Sequence, residues 1–198
     1  MPTLPQQRRP SRPSPARERI LAAAGRLFYA EGMTATGIDT ITADAGVAKQ
    51  SLYNNFASKD DLVLAYIERR HEEWLELLRR RSEAAATPLE RALAVFDAYI
   101  DHAEDAHAGG FRGCGLLNAA AELPAGTPGR EAVRRHKEQV ERILAECLAE
   151  VAEPGPAAAA AEQCALLLEG GVARAGLEGT PARLERARAL AAAIVGAL

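Results

Sequence analysis

The chain has 198 residues, of which 48% are hydrophobic, 5% aromatic and 26% charged, and its formal net charge is −3. This length suits one or two small domains with a buried core, and abundant alanine with few aromatic residues favours helices over sheets. The sequence has no run of about eighteen apolar residues, which argues against a membrane span.

The first fifteen residues carry three arginines and five prolines but no acidic residue. This composition predicts a disordered basic arm over residues 1–15, which either reaches a DNA minor groove or is a solvated tail without a role. The arm lacks the long apolar run of a secretory signal, so a cytoplasmic location is expected. Residues 1–60 contain eight Lys and Arg against five Asp and Glu, so this part is positive within an acidic chain and favours phosphate binding.

A helix-turn-helix is predicted between residues 32 and 59. Apolar residues spaced by three and then four define a helix over 38–45, and the following Gly46 suits the left-handed conformation that ends a helix. A second helix over 48–56 follows at once, with Leu52 facing inward. Its other faces are polar and free of acidic side chains, a composition that fits the major groove of DNA.

The residues of this motif and of its flanks resemble the N-terminal domain of the TetR family of transcriptional regulators. The resemblance is carried by Arg19, Ile20, Leu21, Ala22, Ala23, Ala24, Leu27, Phe28, Gly32, Thr36, Ile38, Ile41, Ala45, Gly46, Val47, Leu52, Tyr53, Phe56, Lys59 and Leu62. It implies an all-α homodimer with an N-terminal three-helix domain that binds a palindromic operator in double-stranded DNA. It also implies a C-terminal helical domain for dimerisation and for binding a small-molecule inducer.

The same resemblance implies which side chains contact DNA. The residues at positions where the family contacts phosphates are Thr36, Tyr53, Asn55 and Lys59, and those at base-reading positions are Lys49, Gln50 and Ser51. Ala48 departs from the family pattern, because the family usually has a Ser or Thr there. Such a residue caps the recognition helix and stabilises it by about 1 kcal/mol. Gln50 replaces a usual glycine and Asn55 a usual histidine. The operator sequence of a relative therefore does not predict the operator of this protein.

Two domains are expected, a DNA-binding domain over residues 16–60 and a ligand-binding and dimerisation domain over 61–198. The predicted helices outside the helix-turn-helix are 16–31, 59–85, one opened by a capping box at 87–90, 114–123, 130–151, 157–178 and 181–198. The helix at 59–85 is too long for one domain and is interpreted as a lever between the two. The helix after 87–90 is expected to bury Leu89, Leu93, Phe96 and Ile100.

The last two helices are expected to form a homodimer contact, and Thr180 is expected to cap the second of them. Their apolar stripes are Ala161, Cys164, Ala165, Leu168 and Val172, then Leu184, Ala187, Ala191, Ile194 and Val195. Small residues accompany them at Gly170, Gly171, Ala173 and Gly176. Such helices from two subunits would pack as a four-helix interface about a twofold axis. Intrachain packing alone is the alternative.

The segment 110–123 resembles a short helix that borders the inducer pocket in part of the family. The predicted ligand-binding residues are Trp74, Phe96, Tyr99, Phe111, Cys114, Asn118 and Leu167. They would line a mostly apolar cavity with few polar points, as small-molecule sites do. Cys114 and Asn118 are expected to share a helix face. A thiol-based sensor of oxidants or electrophiles that uses Cys114 is an alternative, although a lone buried cysteine is usually inert.

Catalysis, a metal site and a cofactor are not expected. The sequence has no Gly-rich phosphate loop, no His-Glu-x-x-His pair and no nucleophile elbow. Its three cysteines form no CxxC pair, which fits a reducing compartment. The histidines expected to face solvent are His71, His102, His107 and His136. The resulting hypothesis is a ligand-released repressor, with a helical protein–protein adaptor as a competing interpretation.

Overall fold

A computed structural model describes residues 14–104 and 110–198. Within these ranges the chain is helical without strands, so the predicted all-α class is confirmed. The helices are α1 (Pro15–Glu31), α2 (Ile38–Ala45), α3 (Lys49–Asn55), α4 (Lys59–Glu83), α5 (Pro88–Glu104), α6 (Gly115–Glu122), α7 (Pro128–Leu148), α8 (Pro154–Glu178) and α9 (Ala182–Val195). Most of the predicted basic arm, residues 1–13, and the predicted solvent-facing His107 lie outside the described residues.

The ends of the N-terminal helices follow local signals in the sequence. The Ser14 hydroxyl accepts a hydrogen bond from the Arg17 amide at 3.1 Å, which satisfies a free donor at the start of α1. Gly46 has φ 61° and ψ 42°, the left-handed conformation that ends α2. At the start of α4 the Ser58 hydroxyl accepts from the Asp61 amide at 3.0 Å. Among the described residues no backbone amide donates back to the Asp61 carboxylate, so only half of a capping box forms here.

The predicted capping box before α5 forms completely. The Thr87 hydroxyl accepts from the Glu90 amide at 3.2 Å, while the Glu90 carboxylate accepts from the amides of Ala86 at 2.7 Å and Thr87 at 3.0 Å. These bonds from Ala86 and Thr87 lower the pKa of Glu90. By contrast, Thr180 does not cap the last helix, because Pro181 occupies the cap position without a side-chain bond.

Prolines account for the two largest shifts among the predicted helix starts. Helix α7 begins at Pro128 and α8 at Pro154, so both start earlier than the predicted 130 and 157. A proline suits the first helical position, because its φ is already helical and its missing amide hydrogen would have had no partner there.

Helix α4 packs against both halves of the chain. Near its start, the Tyr66 ring meets Phe28 of α1 edge to face, with centroids 5.5 Å apart. Two turns further on, the Trp74 ring lies 5.6 Å from the ring of Tyr99 in α5. One helix therefore contacts both α1 and a C-terminal helix, as its length predicted. Its action as a lever stays a prediction.

The buried face of α5 is wider than predicted. Phe96 is fully buried, but Leu89, Leu93 and Ile100 are only half-buried. The buried positions of this helix are Ala92, Ala94, Val95, Phe96, Ala98, Tyr99 and Ala103. Because α4, α7 and α9 all pack against α5, small alanines are buried on sides that a single apolar stripe would leave exposed.

The apolar stripes of α8 and α9 are buried within the subunit except at Ala165 and Ile194, which are half-buried, so their predicted use in a dimer interface is corrected. Leu168 and Leu184 are 0% exposed in the single chain. A Cβ atom on Gly171 would lie 2.8 Å from the Cβ of Ala187, which shows how closely the two helices approach. No helix in the described ranges combines the length and the low polarity needed to cross a bilayer.

Candidate DNA-binding surface and ligand cavity

Helix α3 carries the predicted base-reading residues on its accessible side. Lys49 and Gln50 are exposed and Ser51 is half-buried. The Gln50 amide donates to Oδ1 of Asn54 at 3.0 Å, and the Lys49 ammonium pairs with Asp39 at 2.9 Å. Exposed ion pairs of this kind contribute little. Lys49 can therefore exchange Asp39 for a base or a phosphate at small cost.

Three residues at the edges of the helix-turn-helix offer polar groups to a phosphate backbone. Tyr53 is 45% exposed. Lys59 is the first residue of α4 and forms no ion pair with another described residue. Asn55 is held in place, since its Nδ2 donates to the Ser51 carbonyl at 2.8 Å and its Oδ1 accepts from the Ser14 hydroxyl at 2.8 Å. These roles in DNA contact stay predictions.

Thr36 and Ala48 differ from their neighbours on this surface. Thr36 is only 1% exposed, and its hydroxyl donates to the Gly32 carbonyl at 2.6 Å. A phosphate contact by Thr36 would have to use its backbone amide or break that bond. Ala48 occupies the cap position of α3 without a side-chain bond, so the missing cap is confirmed.

A cavity of about 30 Å³ lies among α4, α5, α7 and the start of α6, with room for about one water molecule. Its lining residues are Arg70, Trp74, Tyr99, His102, Cys114, Gly115, Leu116 and His136. Trp74, Tyr99 and Cys114 belong to the predicted ligand-binding set. The other five lining residues were not among the predicted ligand residues. For Arg70 the sequence contained a signal: it lies four residues before Trp74, and this spacing places both side chains on one face of the same helix.

The other four predicted ligand residues lie outside this cavity. Phe96 and Phe111 are buried elsewhere in the core, at 0% and 5% exposure. Asn118 is exposed, and its amide donates to a main-chain carbonyl of the preceding loop at 3.0 Å. Cys114 precedes α6 as its cap residue, so the helical spacing expected to align it with Asn118 does not apply. Leu167 lines an open groove between α8 and α9.

His136 is buried at 3% exposure, so the expectation that it faces solvent is wrong. The Lys137 ammonium donates to the Tyr99 hydroxyl at 3.1 Å, and this hydroxyl lies 3.1 Å from Nε2 of His136. Because the Tyr99 oxygen accepts from Lys137, its hydrogen is assigned to His136. Nδ1 of His136 then donates to Nδ1 of His71 at 2.8 Å. Burial, with Lys137 and His71 nearby, lowers the pKa of His136 to about 3, which keeps the ring neutral.

The ammonium group of Lys137 contacts three side chains behind the cavity. Besides Tyr99, its ammonium contacts Sγ of Cys114 at 3.6 Å and the Glu169 carboxylate at 2.8 Å. Burial lowers the pKa of Lys137, but Cys114, Tyr99 and Glu169 outweigh this effect and raise it, so the group stays charged. Cys114 is 7% exposed. A thiol-sensing role for Cys114 stays a prediction.

The loop before α6 is bonded to the end of α1. The Tyr29 hydroxyl donates to the Gly113 carbonyl at 3.2 Å and accepts from the Arg112 amide at 2.7 Å. The Arg112 guanidinium donates to the carbonyls of Tyr29, at 2.8 Å, and Ala30. These carbonyls lie in the last turn of α1, where helices leave acceptors unpaired. The cavity wall at Cys114 is therefore adjacent to a loop that is hydrogen-bonded to α1.

The other end of α6 is bonded to the loop that leads into α2. The Glu122 carboxylate accepts from the amides of Met33 at 3.0 Å and Thr34 at 2.6 Å. Burial raises the pKa of Glu122, but the bonds from Thr34 and Met33 outweigh it and lower the pKa, so the group is ionised at neutral pH. Helix α6 thus begins at the cavity and ends at the helix-turn-helix.

Comparisons with known proteins agree with a helical chain that carries a helix-turn-helix near its N-terminus. Residues 20–66 match the family described as bacterial regulatory proteins, tetR family, and residues 88–191 match the tetracyclin repressor-like C-terminal domain. The crystal structure of SCO4454, a TetR-family transcriptional regulator from Streptomyces coelicolor, superposes with a TM-score of 0.83. It is 32% identical, and the match covers 91% of this chain and 94% of that one.

Two curated relatives come from Mycolicibacterium smegmatis. The HTH-type transcriptional repressor KstR2 is 32% identical over 100 residues, covering 50% of this chain and 48% of that protein. The HTH-type transcriptional activator FasR is 33% identical over 88 residues, covering 44% and 40%. The chain thus spans about half or less of the length of these relatives. The relatives are regulators rather than enzymes or adaptors, and the chain belongs to the TetR family of DNA-binding transcriptional regulators.

Proposed function

We propose that this protein is a dimeric repressor that binds a palindromic operator through α3 and leaves it when a small molecule enters the cavity beside Cys114. The observation that carries this proposal is the position of α6, which begins at the cavity wall and ends on the loop before α2. Regulators of this family bind DNA and form dimers. One relative is named a repressor and another an activator. That this protein represses transcription rather than activates it is therefore part of the proposal.

Within this proposal, residues 16–60 form the DNA-binding unit and 61–198 the ligand-binding and dimerisation unit. The base-reading residues are Lys49, Gln50 and Ser51, and the backbone contacts are Thr36, Tyr53, Asn55 and Lys59. Contacts to phosphates give affinity for any sequence, whereas contacts to base edges give preference. The two groups of residues should therefore respond differently to substitution.

Replacing Gln50 with alanine is expected to weaken binding to the preferred operator by about 1 to 3 kcal/mol and to relax preference at one base position. Lys59→Ala and Tyr53→Phe are expected to weaken binding to specific and unrelated DNA alike, because each removes a phosphate contact. Lys59→Ala should also reduce the slope of log affinity against log salt by about one unit. Fluorescence anisotropy over a salt series, with an operator selected from random DNA, measures all three effects.

A matched control is Arg142→Ala, which removes the same charge from an exposed position on α7. This variant should bind like the parent protein. If Gln50→Ala, Lys59→Ala and Tyr53→Phe all bind like Arg142→Ala, the assignment of the recognition surface is incorrect.

Ligand binding would act on DNA through α6. A molecule in the cavity displaces the wall at Cys114, Gly115 and Leu116, and the helix transmits this shift to Glu122 and its two amide partners. The loop before α2 then moves, which changes the separation of the two α3 helices in the dimer. Only a difference in ligand affinity between the DNA-bound and released conformations can drive this change.

Replacing Glu122 with alanine is expected to speed hydrogen exchange at the Met33 and Thr34 amides by about 10- to 100-fold. A hydrogen bond to a charged group contributes about 1.5 to 3 kcal/mol, and both amides lose theirs. Amide exchange measured by NMR tests this result. The control is Asn118→Ala, which removes a different side-chain bond of α6. Unchanged exchange in Glu122→Ala would contradict a link between α6 and the helix-turn-helix.

The surface proposed for dimerisation is an exposed stripe on α8, different from the buried stripe predicted first. Leu166, Gly170, Ala173 and Leu177 follow one another by four, three and four residues, and all four are exposed. Leu166 is 67% and Leu177 84% exposed. A groove of about 310 Å³ separates α8 from the adjoining face of α9 around Leu190. Exposed apolar patches of this kind mark contact surfaces.

A further inference from the structure

The indole nitrogen of Trp74 is a buried donor for which the described residues supply no hydrogen-bond partner. Trp74 is 6% exposed and lines the small cavity. Its ring is fixed by neighbours, with the Tyr99 centroid at 5.6 Å and the His136 centroid at 5.0 Å. Because buried donors are nearly always paired, this one marks a position where an acceptor atom belongs.

The cavity itself supplies donors but no acidic acceptor. No Asp or Glu is among its lining residues in the described part of the chain. Within that lining, Tyr99 and His136 are already joined to each other, as part of the chain that starts at Lys137. Arg70 lies one helical turn before Trp74 on α4, so both donor side chains share one face. An acceptor for these donors therefore has to come from a molecule that occupies the cavity.

Arg70 favours a negatively charged acceptor. Its side chain is only 15% exposed and pairs with Glu73 at 2.6 Å, but Glu73 also pairs with Arg69 at 3.2 Å. The guanidinium has five N–H groups, so bonds to Glu73 and His102 leave others available. Guanidinium groups bind carboxylates through two parallel hydrogen bonds. A carboxylate is therefore a better match than a neutral carbonyl.

The remaining walls are mostly aromatic, which favours contact with the ring of a flat aromatic molecule. The rings of Trp74 and Tyr99, together with Leu116, form the apolar part of the lining. At about 30 Å³ the cavity has to enlarge before it can hold more than a water molecule. Arg70 and His102 also line an open groove of about 760 Å³ along α1 and α4. Because these two side chains line both spaces, their displacement would join the cavity to the groove.

We infer that this cavity binds a small flat organic carboxylate, whose oxygen atoms accept hydrogen bonds from Arg70 and from the Trp74 indole. This inference rests on the proposed function, in which the same cavity receives the inducer. The aromatic walls hold the body of the molecule, and the carboxylate end lies toward the Arg70 side.

Isothermal titration of the full-length protein with three probes tests the inference. Benzoate is flat and charged, benzamide is flat and neutral, and cyclohexanecarboxylate is charged but not flat. Benzoate is expected to bind at least tenfold more tightly than either of the others. Trp74→Phe keeps an aromatic ring but loses the donor, and should weaken benzoate binding about tenfold. Arg70→Gln should remove the preference for benzoate over benzamide.

The control variant is Arg80→Gln, which lies on the same helix and lines only the open groove. It should bind benzoate like the parent, and melting curves of all variants establish that they fold. Equal affinity for the three probes, no binding of benzoate, or binding insensitive to both Trp74→Phe and Arg70→Gln would overturn the inference.

Operator binding is measured separately, so that the two proposals can fail independently. If benzoate binds with the expected preference but does not release operator DNA, the carboxylate site stands and the ligand-released mechanism fails. If specific operator binding is found but the probes show no preference for benzoate, the repressor proposal stands and the carboxylate inference fails.

Discussion

Leu166→Glu is expected to convert the dimer into monomers and to weaken operator binding by about two to four orders of magnitude. In a twofold contact the same residue occurs on both sides, so the substitution brings two carboxylates into one interface. Leu166 is 67% exposed in the single chain, so folding of the subunit does not depend on its burial. A dimer engages both half-sites at once, and a monomer loses this gain in effective concentration. Sedimentation velocity and DNA anisotropy measure the two effects.

Val151→Glu is the matched control for this substitution. Val151 is 42% exposed and follows α7, away from the stripe on α8. This variant should remain a dimer and bind operator like the parent. If Leu166→Glu also remains a dimer with unchanged affinity, the dimer surface is not this stripe of α8.

Gly176→Ala is expected to destabilise the subunit by about 1 to 3 kcal/mol, as overpacking usually does. A Cβ atom at this position would lie 2.5 Å from the Cα of Gly113 and 2.7 Å from the carbonyl carbon of Arg112. These are backbone atoms, so no side chain can rotate to make room. Gly113 is itself held by the Tyr29 hydroxyl, and its φ of 81° restricts how it can adjust. Urea unfolding followed by circular dichroism, at one fixed protein concentration, measures the change.

Gly155→Ala on the same helix is the comparison for Gly176→Ala. A Cβ at Gly155 meets no atom within 4 Å. The substitution should be neutral or stabilise the protein by up to about 1 kcal/mol, since alanine loses less backbone freedom in a helix than glycine. Equal stability of the two variants would show that the loop before α6 yields easily. That result would contradict a close coupling between the cavity and α1 through this loop.

The helix-turn-helix was predictable because its signals are local. The left-handed Gly46 and the uncapped start of α3 at Ala48 depend on residues within a few positions, and both occur as predicted. The burial of Leu52 follows from the same short-range periodicity. Prolines at the starts of α7 and α8 were the exception, because proline is compatible with both a loop and a first helical turn.

The ligand site was only partly predictable because its residues come from distant segments. Trp74, Tyr99 and Cys114 meet at the cavity, whereas Asn118 is turned outward by a helix that begins one residue after Cys114. Nothing near His136 in the sequence indicates that it accepts a hydrogen bond from Tyr99, 37 positions earlier.

The sequence by itself determined the helical class, the helix-turn-helix and the family of this protein, because periodicity, caps and turn residues act over a few positions. Only the tertiary structure decided which apolar faces are already covered within the subunit, since a stripe such as that of α8 fits an internal or an external partner equally well. It also decided which buried donors have no partner among the described residues, as at the Trp74 indole. Pairing and burial depend on contacts between residues far apart in the chain, and a single sequence does not encode them in any local pattern.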